Sequence, residues 1–309
     1  MTARLAPRDL VLILVVVALW GFAFVPIRWA LDALPPFSLA ALRFLFAALP
    51  AVLFVRRPAV PWTALVAYGA AIGIWQFGLL FLGMQLGMPA GLSSLVIQVQ
   101  VFFTMALGVL WMRDRLGVHN VVGAIVAASG VAVLGVHRIA TGATTSLIGF
   151  ALVIAAALGW GVGNVMAKRM MHGRDDEMLG LVVWSSLVPP LPLFAVSWLF
   201  EGGRGALHAV LDMSASTLGC ILLLAYGATL FGYVSWNRLL HRYPTPLVSP
   251  FGLLIPVSGL ASGALFLGER LAPLQAVGAV LVLAGLAWNV YGPRWRRAQT
   301  KTGAAPRSS

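Results

Sequence analysis

Apolar residues fill ten long runs along the chain, each bounded by charges or by Pro and Gly clusters. The runs cover residues 10–31, 36–55, 64–84, 90–111, 118–136, 146–168, 178–199, 216–238, 245–266 and 273–291. A helix needs about 20 apolar residues to cross a hydrocarbon core ~30 Å thick. A helix also satisfies its own backbone in a solvent that offers no hydrogen bonds. The pattern predicts an all-α membrane protein with ten transmembrane helices and short connections that leave little chain for a soluble domain. The first run follows Arg4 and Arg8 as a signal sequence would, but it is too long for one. It reads as an uncleaved helix, with Asp9 placed to cap its start.

The runs fall into two groups of five. Shifting the chain by 140 residues lays Trp20-Gly21 over Trp160-Gly161 and Arg28 over Lys168. Shifting it by 155 lays DRLGVHNVVGAIVAASG, from Asp114, over ERLAPLQAVGAVLVLAG, from Glu269, and Pro89 over Pro244. An ordered set of matches at two nearby offsets indicates duplication, with a first repeat over 9–137 and a second over 146–292. Five is odd, so the second repeat enters the membrane upside down. Inverted repeats are an architecture of secondary transporters, which place a substrate site near the midplane between the halves.

Composition agrees with the pattern. The 309 residues are 60% hydrophobic and 10% charged, with a mean hydropathy of +0.93, against about 25% charged in a soluble domain. The net charge of +12 and pI near 11.3 could point to nucleic acid, but the cations sit in short clusters at span ends. One side holds Arg4, Arg8, Arg56, Arg57, Arg113, Arg115, Lys168, Arg169, Arg174, Arg238, Arg242, Arg294, Arg296, Arg297, Lys301 and Arg307. The other holds only Arg28, Arg138, Arg204 and Arg270. Lys and Arg accumulate on the cytoplasmic side, so both termini are expected there, including a basic, disordered tail over 293–309. The single cysteine, Cys220, excludes an intrachain disulfide framework and a cysteine-based metal cluster.

Polar groups within the runs carry the functional signal, because an unpaired amide in hydrocarbon costs several kcal/mol. Trp20 lies in span 1, Arg43 in span 2, Gln76 in span 3, and Ser94, Gln98 and Gln100 in span 4. Trp160 and Asn164 lie in span 6, Trp184, Ser185 and Ser186 in span 7, and Tyr226, Thr229, Tyr233 and Trp236 in span 8. Two residues apart on a helix, Gln98 and Gln100 point about 200° from each other. Gln98, which shares a face with Ser94, is expected to line the pathway, and Gln100 to bond to a neighbouring helix. Arg28 and Arg43 could together grip a carboxylate, or Arg28 could snorkel to the headgroups; Arg43 is deeper. Lys168 reads as a snorkelling, positive-inside residue. Trp20 and Trp160, each followed by Gly, either wall a cavity or pack helices. Gly159 and Gly163 signal close packing. The expected substrate-binding set is Trp20, Arg43, Gln76, Ser94, Gln98, Trp160, Asn164 and Tyr233.

The carboxylates and histidines all fall at span ends or in loops. A membrane hydrolase or metalloenzyme needs such groups converging inside, and a proton-driven exporter of cationic drugs needs a buried acid. No catalytic residue, metal site or cofactor is expected. Proton coupling and facilitated diffusion both remain open.

The segments WGFAFVPIRWAL, LAALRF around Arg43, GMPAGLSSLVIQVQVFFT, LGWGVGNVMAKRM and GERLAPLQAVGAVLVLAGL resemble the EamA family of the drug/metabolite transporter superfamily, over residues 9 to 297. GMPAGLSSLVIQVQVFF and LVVWSSLVPPLPLF are similar to its O-acetylserine/cysteine exporter branch. The resemblance implies a ten-helix inner-membrane exporter of amino acids and related metabolites. It also implies a central cavity bordered by the fourth span and the Trp-Gly first and sixth spans. The expected partners are a small zwitterionic metabolite and membrane lipid, not nucleic acid, with a homodimer left open. Broader efflux that includes aromatic amino acids is the alternative transport reading. A membrane enzyme or a non-transporting assembly protein is the reading from another class.

Overall fold

The structure, a computed structural model, describes residues 5–114, 116–140, 144–171, 173 and 177–302. Arg4, Arg115, Arg174 and Arg307 of the charge count, Asp175, Asp176 and the tail over 303–309 lie outside the described residues. Ten helices are long and apolar enough to cross a membrane. In the first half they are Pro7–Leu31 (span 1), Pro36–Leu53 (span 2), Trp62–Gln85 (span 3), Ala90–Met112 (span 4) and Val118–His137 (span 5). In the second they are Leu147–Met170 (span 6), Met178–Phe200 (span 7), Ala215–Leu240 (span 8), Pro250–Leu267 (span 9) and Pro273–Gly292 (span 10). The described residues contain no strand. A short helix at Arg204–Leu211, unforeseen in the hydropathy pattern, joins spans 7 and 8.

Bounds match the apolar runs to a few residues everywhere except span 9. There Thr245–Val248 forms a separate turn before the 3₁₀ segment Ser249–Leu253. Pro250 has no N–H to continue an α-helical ladder.

The halves are antiparallel where they meet along spans 5 and 10. A Cβ on Gly123 or Gly130 would lie 2.7 Å from the carbonyl of Gly285 or Gly278, respectively. A Cβ on Gly285 would lie 2.5 Å from the Gly123 carbonyl, and one on Gly278 3.0 Å from that of Gly130. Residue numbers rise along one helix as they fall along the other, as inverted copies require. The duplicated glycines pack on each other because only a missing side chain lets two backbones come this close. Nearby, the Asn120 amide donates to Asn289 Oδ1 at 2.6 Å.

Within spans, breaks follow proline and local register. Span 1 turns at Ala23, between Pro7–Phe22 and Phe24–Leu31, because Pro26 cannot bond to the Phe22 carbonyl. Span 4 tightens into a 3₁₀ turn at Ile97–Val99, where Gln98 sits. Span 7 stops at Ser185 and restarts at Pro190. Spans 3 and 8 widen into π-helical segments at Ala70–Gly78 and Leu223–Phe231, displaced by 153 residues from each other. The two segments therefore occupy corresponding places in the two repeats.

One expectation needs correction. Asp9 does not cap span 1, whose N-cap residue is Ala6. It accepts instead from the Tyr243 hydroxyl at 2.6 Å and pairs with Arg242 at 3.1 Å, tying the start of span 1 to the end of span 8. The helix that carries span 10 runs on to Thr302. The Arg, Ala, Gln and Lys there are good helix formers.

Candidate functional site

Spans 2 and 3 of the first half and spans 7 and 8 of the second line a narrow, half-open cavity of about 20 Å³, room for roughly one water. Arg43 is its centre. The side chain is 7% exposed. Its Nη2 donates to Thr229 Oγ1 at 3.2 Å, and the guanidinium carbon lies 3.7 Å from the Phe77 ring centroid and 5.7 Å from that of Phe44. Its Nε and Nη1 are buried and have no hydrogen-bond partner.

The rest of the wall holds hydroxyls and rings: Tyr68, Ser185, Ser186, Thr229 and Tyr233, with Ile72 and Val182 as apolar surface. Helix irregularity brings them here. The π segment of span 8 lets Thr229 donate to the carbonyl five residues back, Leu224, at 2.9 Å while it accepts from Arg43. The break in span 7 leaves Ser185 and Ser186 both donating to the Val182 carbonyl, at 3.2 and 2.6 Å. No hydrogen bond engages the Tyr68 or Tyr233 hydroxyl among the described residues. The cavity lining contains no carboxylate.

Of the residues expected at a site, Arg43 and Tyr233 line the cavity. Trp20 stands one step behind. Its indole donates to the Ala228 carbonyl at 2.7 Å, and its ring packs 5.7 Å from Tyr233 and 5.3 Å from Trp236. The other five lie elsewhere. Ser94 donates to Gly91 at 2.6 Å and abuts Gly259 where spans 4 and 9 cross. Asn164 donates to Gln100 Oε1 at 2.7 Å and to Thr104 Oγ1 at 3.2 Å, so Gln100 bonds across helices as expected. Gln98 is 6% exposed and makes no hydrogen bond among the described residues. Gln76 is 3% exposed with Oε1 unpartnered. Trp160 packs half-buried against the main core. Sequence reasoning left Tyr68, Phe44 and Phe77 out, since rings in hydrocarbon raise no alarm.

Arg28 pairs with Asp32 at 2.8 Å on its own helix, so it does not join Arg43. Lys168 pairs with Asp114 at 2.7 Å. Gly159 and Gly163 receive Trp75 and Ile72 of span 3, as close packing requires. A larger groove of about 320 Å³ opens between spans 4 and 5, lined mainly by apolar residues such as Phe102, Val121 and Ile125. Its one amide, Asn120, is committed to Asn289.

The halves are tied on both sides of the membrane. On the basic side the Trp184 indole donates to Val55 at 2.9 Å, and Glu177 accepts from the Ala59 amide at 2.6 Å. On the opposite side Glu201 accepts from the Phe37 amide at 2.9 Å, and Glu269 from those of Ala90 and Gly91 at 2.6 and 2.8 Å. Each of these last two carboxylates meets the exposed amides at the start of a helix, where negative charge is favoured.

The sequence profile of the EamA-like transporter family matches residues 8–136 and again 147–291. Over 292 residues the chain is 44% identical to the "Probable amino-acid metabolite efflux pump" of Escherichia coli K12, covering 94% of this chain and 97% of that one. It is 45% identical over 297 residues to the protein of the same description in Salmonella typhimurium, covering 96% and 99%. Identity is 29% over 283 residues to the "Probable terminal-alkyne amino-acid exporter" of Streptantibioticus cattleyicolor, covering 89% and 90%. A crystal structure 20% identical in sequence matches the fold at a TM-score of 0.63 over 94% of this chain and 98% of that one.

Proposed function

This chain belongs to the EamA-like transporter family, and from that premise we propose that it exports small amino acids and related metabolites, of the O-acetylserine and cysteine kind, across the inner membrane. One observation carries the reading: a buried guanidinium with unpaired N–H groups stands at the seam between two inverted halves. Whichever Nη2 hydrogen goes to Thr229, one edge of the planar fork keeps two adjacent N–H donors. That edge matches a carboxylate in two places. Phe44, Phe77, Tyr68 and Tyr233 supply walls for a small side chain. Rocking of the repeats, 9–137 against 146–292, would widen the cavity toward one side at a time. The ties at Trp184–Val55 and Glu201–Phe37 are contacts that must alternate. The charge asymmetry supports cytoplasmic termini, so transport runs from the basic side outward.

The ring-lined wall also favours aromatic amino acids, and a direct comparison separates the two transport readings. Purified protein in liposomes is given labelled O-acetylserine, cysteine and phenylalanine, with and without an imposed pH gradient. Saturable transport of the first two above phenylalanine supports the proposal. The reverse order assigns the carrier to aromatic efflux, and a folded protein that moves none of them is not an amino-acid exporter.

A further inference from the structure

The Arg43 pocket poses a charge problem that a transporter must solve in every cycle. Arginine stays protonated in proteins, and an uncompensated charge at hydrocarbon depth costs several kcal/mol. The side chains around it supply one hydroxyl oxygen at 3.2 Å and a ring face, and no lining residue is acidic. Unused donors belong to residues that line this small space: Arg43 Nε and Nη1, which are buried, and the hydroxyls of Tyr68 and Tyr233. At about 20 Å³ that space admits a water or a monatomic ion and is far too small for an amino acid. A water would fill it without answering the charge.

We propose that Arg43, Tyr68 and Tyr233 form a binding site for a small monovalent anion of halide size, which holds the closed carrier neutral and leaves when a substrate carboxylate takes its place. The binding step stands on the pocket alone; the exchange step rests on the transport reading above. On this account the guanidinium never crosses its conformational cycle bare. The carrier runs as an exchanger of a small anion for a carboxylate-bearing substrate.

The test uses the full chain in nanodiscs of neutral lipid, in a background of isethionate, an anion too bulky for the pocket. Radioactive chloride binding is measured by equilibrium dialysis. One saturable chloride per chain is expected, displaced competitively by O-acetylserine and lost in Arg43→Gln. Chloride retained in folded Arg43→Gln belongs to the surface cations of this strongly basic chain and overturns the site, as does the absence of saturable binding. Should Arg43→Gln not fold, the double variant Tyr68→Phe, Tyr233→Phe replaces it, with affinity expected to fall about tenfold or more; unchanged affinity overturns the proposal. Transport in liposomes then separates the two claims. Amino-acid flux equal in chloride and in isethionate refutes the exchange while leaving the exporter reading intact. Chloride binding without any amino-acid flux keeps the anion site and removes the exporter.

Discussion

Arg43 on span 2 donates to the Thr229 hydroxyl on span 8 at 3.2 Å, so a charge buried inside the helix bundle bridges the two halves of the molecule. Replacing a poorly compensated buried charge with an apolar side chain of similar reach is often neutral or stabilising by about 1–4 kcal/mol. Arg43→Met is therefore expected to melt no lower than the parent while losing at least about tenfold in export. Arg43→Lys keeps the charge but not the two-donor edge, and its export falls too. Melting curves and vesicle flux check both; a lowered melting point with normal flux would make Arg43 a brace between halves.

Asn164 and Gln98 are predicted to behave oppositely. Asn164→Leu strips Gln100 Oε1 of its 2.7 Å donor and should destabilise by about 1–2 kcal/mol. Gln98→Leu removes an amide that no described residue engages and should leave folded yield unchanged. Denaturation in detergent micelles reads both, and a double-mutant cycle between Gln100 and Asn164 isolates their coupling.

Gly130→Val places a side chain where a Cβ alone would meet the Gly278 carbonyl at 2.7 Å and the Val282 amide nitrogen at the same distance. Overpacking of this kind costs about 1–3 kcal/mol. Gly219, whose Cβ would meet nothing within 4 Å, tolerates Ala. A melting-temperature comparison of Gly130→Val with Gly219→Ala tests whether the span 5–span 10 crossing is as tight as described.

Glu269 and Asp114 occupy the same place in the two repeats yet do different work, and their alanine variants should differ accordingly. Glu269→Ala frees two backbone amides at the start of span 4, at a cost of about 1–3 kcal/mol. Asp114→Ala removes a half-exposed ion pair with Lys168, which is worth under about 1 kcal/mol. Equal losses in thermal melts would refute the distinction.

Most of the fold was legible because hydrocarbon thickness imposes its own length on every span. The duplication was legible because Gly123, Gly130, Gly278 and Gly285 must stay small to pack on one another. The candidate site was only partly so. Depth singled out Arg43, since a guanidinium cannot be excused at that level. The glutamines of span 4 drew equal attention, but polarity says nothing about which way a side chain points: Gln100 turned to Asn164 and Gln98 stayed off the cavity. Hydroxyls are cheap to bury because a nearby carbonyl accepts them, so Ser185, Ser186 and Thr229 stood out less than their position deserves. Asp9 looked like a cap by sequence offset, yet Tyr243, 234 residues away, took its carboxylate.

The wide turns of spans 3 and 8 leave a trace older than the present molecule. An extra residue wound into one helix would be an accident of that helix; the same bulge at the same step in both copies argues for inheritance from a single five-span ancestor. Once the gene was copied and joined, each turn was free to drift: one now presents Gln76 and the other Thr229, and of these two side chains only Thr229 bonds to the arginine.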